Sequence, residues 1–116
     1  MAEVLVDTDV LINHLAGRRR FDPGAETVWY SVVTRCELFA GRDANERVIN
    51  RLLTPFTEIA VDRSIAERAG RLRRDLRIRT PDALIAASAL AHRLELLTGN
   101  ARDFAKVPGL TVRHAS

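Results

Sequence analysis

Residues 80–94, T-P-D-A-L-I-A-A-S-A-L-A-H-R-L, constrain the fold more than any other stretch. Between Ala83 and Ala91 the only polar side chain is Ser88, so a helix here is apolar on every side. Such a helix must be enclosed by other elements, because a surface helix keeps a polar face. The run is too short to span a bilayer, and charges flank it on both sides. Thr80 is placed to cap it, Pro81 suits the first helical position and Asp82 falls in the first turn. The expectation is a buried central helix with a single carboxylate at its N-terminal mouth.

A chain of 116 residues, 47% hydrophobic and 28% charged, has the composition of one soluble globular domain covering residues 1–116. The N-terminus has no basic start, and its apolar run (Val4, Leu5, Val6) is too short for a secretory signal. A single cysteine, Cys36, excludes both a disulfide framework and a thiolate metal cluster, and a small core position is expected for it. These features point to a cytoplasmic protein with no membrane partner. Of the 18 basic residues only Lys106 is a lysine, and arginines cluster at 18–20 and within 71–79. Arginine is the better bidentate partner for phosphate, so nucleic acid is a natural ligand class. The second cluster equally suits a solvated helix face paired with Glu67 and Asp75.

Along the chain, short β-branched or apolar runs alternate with helical patterns. Residues 4–6 read as a buried strand ending at Asp7, and Asp7 or Thr8 then caps a helix carrying Val10, Leu11 and Leu15. A turn over residues 21–26 leads to a second strand, residues 28–33. Thr34 and Glu37 follow in the spacing of a capping box. A helix over residues 44–53 carries Val48, Ile49, Leu52 and Leu53 on one stripe. A third strand is expected at 57–61, a capping box at Ser64 and Glu67, and an arginine-rich helix to residue 78. The central helix precedes a fourth strand at 95–98, a short helix capped by Asn100, and a last strand at 110–113. Alternation of this kind implies an α/β fold with a parallel sheet covered on both faces, and ligands bind beyond the carboxyl ends of such strands.

Four acids start helices near that edge: Asp7, Glu37, Asp82 and Asp103. Each has a structural excuse as a cap or as a partner of a helix dipole. Structural roles do not require the four to converge, whereas placing the first strand between the second and fourth brings them together. Two carboxylates about 5 Å apart repel by roughly 3 kcal/mol at an effective dielectric near 20. A divalent cation relieves that repulsion, and an all-oxygen donor set favours Mg²⁺ or Mn²⁺, one ion or two. Such an ion suits phosphodiester hydrolysis.

Four blocks, V-L-V-D-T-D-V-L-I (4–12), S-V-V-T-R-C-E-L-F-A-G (31–41), P-D-A-L-I-A-A (81–87) and L-L-T-G-N-A-R-D-F (96–104), resemble the PIN-domain family, and VapC-type toxin ribonucleases most of all. The resemblance spans essentially the whole chain. It implies a three-layer α/β/α sandwich around a five-stranded parallel sheet and a Mg²⁺- or Mn²⁺-dependent endoribonuclease. It further implies a homodimer silenced by a VapB-type antitoxin. On this chain the family's acids fall on Asp7, Glu37, Asp82 and Asp103, with Thr8, Thr34, Thr98 and Asn100 as supporting polar groups. The hydrophobic stripe over residues 48–53 is then a candidate for part of the antitoxin groove. Gly99 stands where the family often has a polar or basic residue, and the loop at 18–26 is short.

Two other readings compete. Asp7 and Asp9 form the D-x-D of a haloacid-dehalogenase-like phosphatase, although that chemistry needs a downstream catalytic lysine and Lys106 is the only lysine available. A catalytically silent PIN-fold binding module is the other. His14, His92 and His114 lack partners at ligand spacing, and Trp29 is expected to pack in the core.

Overall fold

The computed structural model describes residues 2–115. Five parallel strands form one sheet in the order β3-β2-β1-β4-β5. They are β1 (Glu3–Val6), β2 (Thr27–Ser31), β3 (Thr57–Ile59), β4 (Glu95–Thr98) and β5 (Val112–His114). The helices are α1 (Thr8–Leu15), α2 (Val32–Phe39), α3 (Glu46–Leu53), α4 (Arg63–Leu76), α5 (Thr80–His92) and α6 (Ala101–Phe104). β1 occupies the centre, with Leu5 in register with Trp29 of β2 and Leu96 of β4.

The pleat divides the core in two. Val4 and Val6 point to one face, where they pack with Leu11, Tyr30, Leu38, Ile49 and Leu53 from the α1, α2 and α3 side. Leu5 points to the other, among Ile65, Ala69, Ile85, Ala86 and Phe104 from α4, α5 and α6. This alternation is the period of two that a strand buried on both faces must show. α5 lies against the sheet beneath α4, with Ala83, Ile85, Ala86, Ala87, Ser88 and Ala89 all buried. Ser88 avoids an unsatisfied hydroxyl by donating to the Leu84 carbonyl at 2.8 Å. The enclosed, alanine-rich helix expected at the centre is therefore present.

Several boundaries lie elsewhere than the sequence patterns suggest. α2 starts directly at the end of β2, because Ser31 is its N-cap and accepts from the Val33 amide at 3.1 Å. The second strand thus stops at Ser31, and Thr34 and Glu37 lie inside the helix and form no capping box. Asp62, not Ser64, caps α4 by accepting from the Ile65 amide. Asn45 caps α3, Thr80 is already helical, and Asn100 makes no side-chain cap bond. β3 is confined to Thr57–Ile59, and β5 lies two residues later than expected at its start. Cys36 is exposed and does not enter the core, since α2 turns that side to solvent. The 48–53 stripe divides: Ile49 and Leu53 are core residues, whereas Val48 is 40% exposed.

Candidate active site

β1 delivers Asp7 to the carboxyl edge of the sheet, where the chain turns into α1. Its Oδ1 accepts from the Thr8 amide at 2.8 Å and its Oδ2 from the Thr98 hydroxyl at 2.8 Å. Thr98 closes the neighbouring strand and in turn accepts from the Asn100 amide at 3.0 Å. The Asn100 side-chain amide then donates to Asp103 Oδ2 at 2.6 Å. On the opposite side, the Thr8 hydroxyl meets Thr34 at 2.8 Å and donates to Glu37 Oε1 at 2.7 Å. A hydroxyl has one proton, so the order of donation is Thr34 to Thr8 to Glu37. Thr8, Thr98 and Asn100 thus link the acids, and Thr34 supports them through its bond to Thr8.

The electrostatics agree with this geometry. Burial, with Asp7 only 6% exposed, raises its pKa to about 7. The neighbouring Asp9 charge adds to the rise and Asp82 adds a little more, against the bonds from Thr98 and Thr8. Asp82 is also raised, first by burial, opposed by Arg79, and then by Glu37, Asp103 and Asp9. Carboxylates from the β1–α1 junction, α1, α2, α5 and α6 therefore act on one another across one mouth. Among the described residues, no three His, Cys, Asp or Glu side chains are drawn in tightly enough to grip an ion as they stand. A cation does stand beside Asp82, though a largely exposed one: Arg79 Nε lies 3.9 Å from Asp82 Oδ2. The donor chemistry, carboxylate oxygens with no imidazole or thiolate, fits a hard divalent cation.

The PIN domain family model matches residues 4–110 of this sequence. The chain belongs to the PIN-domain family. Ribonuclease VapC10 of Mycobacterium tuberculosis is 38% identical over 117 residues, covering 87% of this chain and 85% of the relative. A toxin–antitoxin complex from Klebsiella pneumoniae contains a chain of TM-score 0.81 and 35% identity, covering 93% of this chain and 95% of that one. The DNA-bound VapBC structure from Salmonella typhimurium has TM-score 0.83 at 24% identity, covering 98% of each chain, and supports the fold alone.

In this PIN domain the sequence reading missed one acid as a member of the cluster. Asp9, assigned only to the phosphatase alternative, acts electrostatically on both Asp7 and Asp82. Its carboxylate accepts from the Gly99 amide at 3.1 and 3.3 Å. A Cβ at Gly99 would lie 2.8 Å from Asp9 Oδ2, which accounts for glycine at this position. The D-T-D triplet together with glycine after Thr98 was the available signal. Arg35, close to the acids in sequence, turns away to Glu58, Asn50 and Tyr30. Trp29 is half-buried against the core beside His92, and His14 accepts from the Phe21 amide, a structural use in each case.

Proposed function

We propose that this PIN domain is the toxin of a type II toxin–antitoxin pair, an endoribonuclease that hydrolyses RNA phosphodiester bonds with Mg²⁺ or Mn²⁺. The observation that carries the reading is the hydrogen-bonded chain from Glu37 through Thr8, Asp7, Thr98 and Asn100 to Asp103, with Asp82 coupled across the mouth. The likeness to Ribonuclease VapC10 and to a solved toxin–antitoxin complex supports the same role, and the partner that follows from it is an antitoxin of the VapB type. Residues 1–116 act as one nuclease unit, as a homodimer in the cytoplasm. No helix among the described residues is long and apolar enough to cross a membrane.

Asp7, Asp82 and Asp103 would hold the ion, with Glu37 completing the site directly or through water. When bound, the ion supplies Lewis-acid polarisation of the phosphodiester and a lower pKa for the attacking water. The chain's own residues fix the donors. Thr98 and the Thr8 amide hold both oxygens of Asp7 in place, and the Thr8 hydroxyl takes one oxygen of Glu37, with no protein hydrogen bond taken up by the second among the described residues. Asn100 does the same for Asp103. The phosphatase alternative is disfavoured because Asp9 is held by the Gly99 amide. A silent binding module has no use for so costly a gathering of acids.

The test is cleavage of a panel of single-stranded RNAs by purified protein in Mg²⁺, Mn²⁺ or EDTA. Asp7→Asn is expected to abolish cleavage, by at least about a hundredfold, while the circular dichroism spectrum is kept. Cleavage that persists in EDTA or in Asp7→Asn would remove the mechanism.

A further inference from the structure

Beside the acidic mouth lies a cleft of about 610 Å³. Its lining includes Asp9 and Gly99, which are bonded to each other, together with Phe21, Arg18, Arg19 and Arg20. Its loop is built rather than loose. Gly17, at φ +75°, turns the chain out of α1, and the amides of Arg18 and Arg19 both donate to the Asn13 carbonyl, at 3.0 and 3.3 Å. The Asn13 side chain accepts from Arg18 Nε at 2.9 Å, and His14 Nδ1 accepts from the Phe21 amide at 3.0 Å. The last turn of α1 thus holds the arginine run from both ends.

The charges in the cleft are unevenly satisfied. Its acids have internal partners: Asp9 takes the Gly99 amide, Asp22 the Gly24 amide, and Glu26 both its bonds from Arg113 Nη2 at 2.9 Å. The three arginines form no ion pair with any described carboxylate, in contrast to Arg35, Arg74, Arg79 and Arg113. Arg18 uses one donor on Asn13 and Arg19 one on the Ala115 carbonyl. A guanidinium has five N–H donors, so most of the loop's capacity faces outward. A nuclease whose reacting centre is a knot of carboxylates repels its polyanionic substrate, and an unneutralised guanidinium cluster next door supplies the missing attraction.

We propose that Arg18, Arg19 and Arg20 form a subsite for the backbone phosphates of single-stranded RNA flanking the scissile bond, with Asn13 as the residue that positions the loop. The proposal rests on the ribonuclease reading above. RNA is the occupant, in preference to an acidic polypeptide, because two lining residues lead to the acids proposed to cut it: Asp9 acts on Asp7 and Asp82, and Gly99 follows Thr98, which holds Asp7.

The experiment measures fluorescence anisotropy of a labelled mixed-sequence single-stranded RNA with the Asp7→Asn protein in Mg²⁺, across a series of KCl concentrations. Adding Arg18→Gln, Arg19→Gln and Arg20→Gln together is expected to weaken binding more than tenfold at low salt. The slope of log K against log salt should fall by about 2, at roughly 0.7 per phosphate contact on a single strand. Asn13→Ala leaves the charge unchanged and is expected to weaken binding about threefold or more. Unchanged affinity and slope in the triple variant, with its thermal melt intact, would overturn the subsite. A neutral Asn13→Ala would overturn the positioning role. Displacement of the RNA by polyglutamate at equal or lower concentration would assign the cleft to a polypeptide and overturn the proposal. In the otherwise wild-type chain, RNA cleavage with KM unaltered by the triple substitution sinks the subsite alone. RNA bound through these arginines but never cut sinks the ribonuclease reading alone.

Discussion

Asp7 carries an unusual energetic load for one side chain. Its folded-state pKa of about 7 lies above the ordinary 3.8, so the folded protein binds the proton more tightly than the unfolded chain does. The associated stability is fully present below pH 4 and is lost as pH rises through 7, on the order of 4 kcal/mol in the metal-free protein. Asp7→Asn should therefore stabilise the EDTA-treated protein at pH 8 by about 1–3 kcal/mol and have little effect near pH 4, as urea unfolding at the two pH values would show. Equal effects at both would mean that the buried charge is not the cause. Gly99→Ala separates geometry from stability. The new Cβ would press on the movable end of Asp9, so unfolding free energy should change by less than about 1 kcal/mol. Cleavage should nevertheless fall several-fold as the Asp9–Gly99 bond is broken; unaltered kinetics would show that Asp9 has no part in shaping the mouth. The role of Asp9 was hard to read from sequence because a D-x-D fits two chemistries, and only the backbone amide of Gly99 decides which way the second acid points.

At the level of elements, legibility followed burial. α5 declared itself through an apolar surface with no solvent face, and β1 and β4 through short runs closed by polar residues. The start of α2 was ambiguous because Ser31 and Thr34 both qualify as caps, and the tertiary position of the β2 terminus selects Ser31. Glu37 reaches the site all the same, since either start places it on a helix leaving the same edge. Ser31→Ala should cost about 1 kcal/mol through loss of the cap and its bond to the Val33 amide, read by thermal unfolding. The alanines of α5 set a stricter limit. Ala86 is fully buried between α4 and the sheet, and Ala86→Leu should destabilise by about 1–3 kcal/mol or more. A stable Ala86→Leu protein would mean that α5 is packed more loosely than its burial indicates.

For the molecule as a whole, the strand order was legible because only a central β1 lets acids after β1, β2 and β4 meet, and the sheet adopts that order. The arginine cleft was less so, since consecutive arginines look alike whether neutralised or free until their neighbours are known. A cation that binds only the folded state raises its stability by RT ln(1 + [L]/Kd), about 2.7 kcal/mol at a hundred times Kd. Mn²⁺ should accordingly raise the melting temperature, and Asp82→Asn should weaken Mn²⁺ binding measured by calorimetry; an undiminished affinity would remove Asp82 from the ligand set. The bond between Thr98 and Asp7 joins residues 91 positions apart, and β1 is the first strand made although it lies in the middle of the sheet. Folding during synthesis therefore leaves this contact open: Asp7 lacks its Thr98 partner, and β1 one of its two neighbours, until residue 98 has left the ribosome.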